Sequence, residues 1–158
     1  MIKLSIIGGS YMKKFCVLLV LFGAVSLCYS QENLGRLIND CASYISKPVP
    51  KGFSRGDRTT YLNEDRSIVL KVINGIVIGS VIGTTFDRTN EALEWQSQFY
   101  DYFESNNWVY SNLSERGVEI YIKNKIYALI ISPSKRDDNQ IVAMVIFIDD
   151  INKLQYID

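Results

Sequence analysis

The side chains able to do chemistry in this sequence are carboxylates, tyrosines and a few cysteines, because histidine is absent altogether. Without an imidazole there is no Ser-His-Asp or Cys-His nucleophile system, no His-ligated zinc and no ordinary near-neutral general base. The carboxylates gather in two places, Asp137-Asp138 (followed by Asn139) and Asp149-Asp150. Oxygen-rich loops bind calcium when ligands alternate and a bidentate Glu closes the set, and neither cluster has that pattern. Paired carboxylates also serve glycoside hydrolysis, but these pairs flank the run from Ile141 to Ile148. A strand of that length holds them roughly 25–30 Å apart at ~3.3 Å per residue, so they cannot share one scissile bond. They read as solvated turns, the first beside Lys135-Arg136. No catalytic residue, metal ligand or cofactor site is assigned.

The cysteines point to a compartment instead of a reaction. Lys13-Lys14 precede an apolar run from Phe15 to Val25, continued by Ser26 and Leu27 and then by Cys28-Tyr29-Ser30-Gln31. A basic start, a short apolar core and small residues before a polar segment describe a secretory signal, and this core is shorter than the ~20 residues a membrane span needs. Cleavage after Ser30 is expected, so residues 1–30 form the leader. Met12-Lys13-Lys14 is itself a typical opening, and Gly8-Gly9 just upstream is what a translated bacterial ribosome-binding site would encode. Met12 is therefore the expected start, in a bacterial source. Lys3, Lys13 and Lys14 leave with the leader, so the remaining chain holds 14 basic residues against 17 acidic ones. Cys16 and Cys28 leave as well, and Cys41 alone cannot form an internal disulfide. Acylation at Cys28 would anchor the chain to a membrane, but the large Leu27 directly before it suits that processing poorly.

Aromatic residues are the other concentration. Trp95, Phe99, Tyr100, Tyr102, Phe103, Trp108 and Tyr110 fall within one short stretch. Ala92, Trp95, Phe99 and Phe103 recur at helical spacing and belong to a buried stripe. Tyr100, Tyr102 and Tyr110 remain as a partner surface, since tyrosine anchors interfaces with a large apolar ring and a polar tip. Gly75, Gly79 and Gly83 make a GxxxGxxxG pattern, but Asn74-Gly75 is a hairpin turn and the surrounding Ile, Val and Thr favour strand. Glycine inside a strand then marks a bulge or a close approach.

The elements that position these residues follow from periodicity. Leu34, Leu37, Ile38, Cys41, Ala42 and Ile45 predict a helix over 33–46, stopped by Pro48 and Pro50. Residues 47–58 read as a linker, giving an N-terminal helix-and-linker segment at 31–58 and an α+β domain at 59–158. Residues 67–73 and 76–86 form a hairpin, with Ile73 expected opposite Ile76, Val72 opposite Val77 and Leu70 opposite Gly79. One face would carry Ile68, Leu70, Val72, Val77 and Val81, the other Ile73, Ile76, Ile78 and Ile82. A helix capped by Asp87 or Thr89 follows and ends near 104, then a short strand at 108–113. Val118, Ile120 and Ile122 alternate with Glu119, Tyr121 and Lys123 as a half-buried strand, and Tyr127, Leu129 and Ile131 should face Ile122, Ile120 and Val118 across a turn at Asn124-Lys125. Residues 141–148 are apolar throughout and predict a central strand. The expected fold is α+β, a single twisted antiparallel sheet of about five to six strands in the order α-β-β-α-β-β-β-β, with helices packed on it.

For function, equal numbers of acidic and basic residues give no electrostatic footprint for nucleic acid. The composition, 47% hydrophobic and 22% charged, is that of a globular domain. Two classes stand against each other. The favoured one is a non-enzymatic binding or interaction module in the periplasm or medium, engaging a protein or envelope partner. The alternatives are a small secreted hydrolase using Asp137 or Asp149, or a lipid-anchored envelope protein.

Overall fold

The computed structural model describes residues 30–157, and the expected leader with its start, cleavage and acylation positions lies outside the described residues except for Ser30. Helix α1 spans Gln31–Tyr44 and helix α2 spans Thr89–Ser105. Eight strands form one antiparallel sheet: β1 (Ser54–Arg55), β2 (Thr60–Leu62), β3 (Ile68–Ile73), β4 (Ile76–Phe86), β5 (Val109–Tyr110), β6 (Val118–Lys123), β7 (Ile126–Lys135) and β8 (Ile141–Ile148). Their order is β1-β2-β3-β4-β8-β7-β6-β5. A 3-10 helix, Ile151–Tyr156, follows β8. The α+β class and the single antiparallel sheet are as the sequence predicts, but there are eight strands instead of five to six. The two extra ones, β1 and β2, are only two and three residues long, too short to leave a periodic trace.

Local chemistry explains the helix and turn boundaries. Ser30 caps α1, its hydroxyl accepting from the Asn33 amide at 3.2 Å, which satisfies one of the unpaired donors of the first turn. Neither expected residue caps α2: Arg88 occupies the cap position without a side-chain bond. Asn74 and Gly75 both take positive φ, as do Asn124 and Lys125, the geometry that lets a two-residue turn follow the twist of its strands. Residues after α1 are held to the sheet by the Ser46 amide donating to the Val77 carbonyl at 2.8 Å and the Val77 amide donating to the Lys47 carbonyl at 2.9 Å.

Sheet register is where expectation and structure part. The β6–β7 hairpin pairs Ile122 with Tyr127, Ile120 with Leu129 and Val118 with Ile131, as predicted. In the β3–β4 hairpin Ile73 faces Ile76 and Val72 faces Val77, but Lys71 faces Gly79 and Leu70 faces Ser80. Ile78 is an extra residue, a bulge, and beyond it every side chain changes face. Val81 therefore lies with Val69 and Ile78 on one side of the sheet, while Ile82 joins Leu70, Val72 and Val77 on the other.

Both sheet faces are buried. The first packs under α1 and α2, where Leu34, Ile38, Phe99 and Phe103 meet Leu70, Ile82, Ile130 and Phe147. The second contains Val69, Val81, Ile120, Leu129, Met144 and Ile146, with Ile151, Leu154 and Ile157 from the C-terminal segment against it. Tyr121, expected on a polar face, is buried beneath α2 because that face of β6 is also covered. β8 lies inside the sheet between β4 and β7 and is buried at every position. Among the described residues no helix is long and apolar enough to cross a membrane.

Candidate functional site

Three groups carry the chemistry of the described chain, and the fold treats each differently. Cys41 sits on the buried face of α1, with no exposed surface and no disulfide partner. Burial pushes its thiol far above the ordinary range, so it stays protonated, and Ser80 spends its hydroxyl on the Cys41 carbonyl at 3.0 Å. A protonated, enclosed thiol is a packing group and no nucleophile.

The two carboxylate clusters stay apart. Asp138 forms an ion pair with Arg136 at 2.9 Å, and Asp137 and Asp138 are exposed at the β7–β8 turn. At the other end of β8, Asp149 accepts from the Ser46 hydroxyl and from the Lys153 ammonium, the latter at 2.7 Å. Burial tends to raise the Asp149 pKa, but the bonds from Lys153 and Ser46 outweigh it and hold the group below the usual carboxylate range. A carboxylate so held releases its proton readily and accepts one poorly, the reverse of what a general base needs. Its evident work is mechanical. It ties the end of α1, the end of β8 and the C-terminal 3-10 helix together. The Lys153 half has an i, i+4 spacing visible in the sequence, while Ser46 is 103 residues away. Among the described residues no group of His, Cys, Asp or Glu could hold a metal ion.

The third group is aromatic and lies at the β5 edge of the sheet. The three tyrosines singled out from sequence separate here. Tyr102 is 8% exposed and fills the contact between the helices, with a Cβ on Gly35 falling 3.1 Å from its ring and 3.2 Å from its hydroxyl. It is not a surface residue, because its place on α2 faces α1. Tyr110 is 55% exposed and Tyr100 is half-buried, and both pack on Tyr121, which the sequence pattern placed among polar residues. The Tyr110 ring stands 5.4 Å from Tyr121 at 77°, and the Tyr100 ring 6.2 Å at 61°. Strand pairing sets Tyr110 directly opposite Tyr121, and α2 brings Tyr100 over them. Beside Tyr110 on the same edge, Val109 is 67% exposed and Leu113 is 41% exposed. β5 ends the sheet, so one side of its backbone and both of its side chains face outward. Burial raises the Tyr100 hydroxyl to about 12, aided by the Glu119 charge and the neighbouring Tyr121 and Tyr110. Tyr100 is therefore a neutral ring with a polar tip throughout the physiological range. Comparison of the chain with protein-family models, curated proteins and solved structures finds no match.

Proposed function

We propose that this chain is an exported domain that works as a non-enzymatic binding module, engaging a protein partner along the β5 edge. The observation that supports this is the exposure of Val109, Tyr110 and Leu113 within one short segment at the end of the sheet. Large apolar side chains at an open edge are a liability unless something covers them, and an extended partner strand covers backbone and side chains together. The same edge offers alternation, since Val109 and Tyr110 project to opposite faces of the sheet and can each select a partner side chain. The carboxylates offer no comparable support for hydrolysis: one cluster is a solvated turn and the other is tied to Ser46 and Lys153.

Export and binding are tested separately. Intact mass of the secreted chain should correspond to cleavage after Ser30, and a lipid-sized increase on Cys28 would replace export in free form by membrane anchoring. A photo-crosslinking residue at Leu113 in the producing cell should give one discrete protein adduct, lost on Tyr110→Ala. The same residue at Arg55 on the opposite edge should give none. Identical adducts from both edges, or none from Leu113, would refute binding at β5.

A further inference from the structure

Two carboxylates lie beside the tyrosine cluster, and the fold accounts for both positions. Glu119 precedes Tyr121 by two residues on β6, which places their side chains on the same face of the strand. Glu104 follows Tyr100 by four residues on α2, one helical turn along the same side. Both charges reach the Tyr121 hydroxyl, whose pKa is raised first by burial and then by Glu104 and Glu119. Among the described residues neither carboxylate takes part in an ion pair. Lys123, two residues beyond Tyr121 on the same face of β6, gives its ammonium to the Asn106 carbonyl at 2.7 Å. Two tyrosine rings packed edge-on against the buried Tyr121, with two acids outside any ion pair beside them, bring aromatic rings and negative charge together.

We propose, resting on the binding role of the β5 edge, that Tyr110 and Tyr100, backed by the buried Tyr121 and flanked by Glu119 and Glu104, receive an arginine side chain from the protein partner. Ring faces attract cations through the aromatic quadrupole. Arginine fits better than lysine because its planar guanidinium stacks on a ring while its N–H groups bond carboxylates in parallel pairs. The partner strand lying beside β5 would carry the arginine on the helix-covered face, the side to which Tyr110 and Tyr121 project.

The test uses the exported chain and an acetylated, amidated hexapeptide of Thr and Val with one central Arg, together with versions carrying Lys or norleucine there. Binding is followed by chemical shifts of the β5 and β6 amides. The Arg peptide should bind at least about threefold more tightly than the norleucine peptide, the scale of one partly exposed cation–ring contact. That advantage should vanish in Tyr110→Ala, fall in Glu119→Gln and shrink with added salt, yet persist in Tyr110→Phe. Equal binding of the Arg and norleucine peptides at β5 would overturn the arginine inference and leave the edge as a binding site. No shift at β5 with any peptide would overturn the inference and count against the edge as well. A preference for Lys over Arg would overturn the stacking argument.

Discussion

Replacing Gly79 by alanine puts one methyl group where the chain has left no room. A Cβ there would run into Ile157 Cδ1 and come within 3.3 Å of both Ile157 Cγ1 and Ile148 Cγ2. Ile157 is fully buried against this part of β4, so the methyl must displace it or force an unfavourable rotamer. Crowding of this kind costs about 1–3 kcal/mol. The lost freedom of glycine in the unfolded chain offsets about 0.4–1 kcal/mol of that, since no positive φ stands against alanine here. A net loss of about 0.5–2 kcal/mol is expected. Ile157→Ala removes the colliding atoms and should cost about 2–3 kcal/mol, at the low end for an isoleucine because the site lies on a short terminal segment. In the double variant the new methyl occupies space that Ile157 has vacated. It should be no less stable than Ile157→Ala alone, a favourable coupling of about 1–2 kcal/mol. Urea unfolding of the four proteins measures this directly. Additivity within about 0.5 kcal/mol would show that Gly79 and Ile157 do not compete for one space and would refute the packing argument.

Two further outcomes follow from buried polar groups. Gln96 is buried on α2 and donates to the Ile131 carbonyl at 2.6 Å, where the pairing of β7 with β8 shifts register. Gln96→Leu should therefore cost about 1–3 kcal/mol by orphaning that carbonyl, and an unchanged urea midpoint would mean that the carbonyl finds another partner. Cys41 stays protonated in the fold but ionises near 8.5 when unfolded, so the folded state holds more protons above that pH. Stability should fall between about pH 8.5 and 9.5 with a slope approaching 1.4 kcal/mol per pH unit, and Cys41→Ala should flatten it. Equal slopes in the two proteins would refute the assignment.

Patterns confined to one element were readable from the residues. The stripe of Ala92, Trp95, Phe99 and Phe103 gave the buried side of α2, and all four are buried. Two alternations and a turn at Asn124-Lys125 gave the full register of β6 and β7. The unbroken apolar run at 141–148 gave an interior strand, because a segment buried on both faces has no polar side to show.

What the residues could not announce depends on groups brought together from distant parts of the chain. The bulge at Ile78 leaves no mark in a run that is apolar throughout, yet it reverses the faces of Val81 and Ile82. β1 and β2 are too short for a period and exist because β3 offers an edge to β2 and β2 in turn offers one to β1. The proposed partner surface divides in the same way. Sequence supplied Tyr100, Tyr102 and Tyr110 as aromatics in excess of one helical stripe. Tertiary packing turned Tyr102 into the contact between helices and set Tyr121 beneath Tyr110. It also left Val109 and Leu113 exposed beside them. Periodicity reports which side of an element is apolar, while exposure depends on what lies across from it, and only the folded chain decides that.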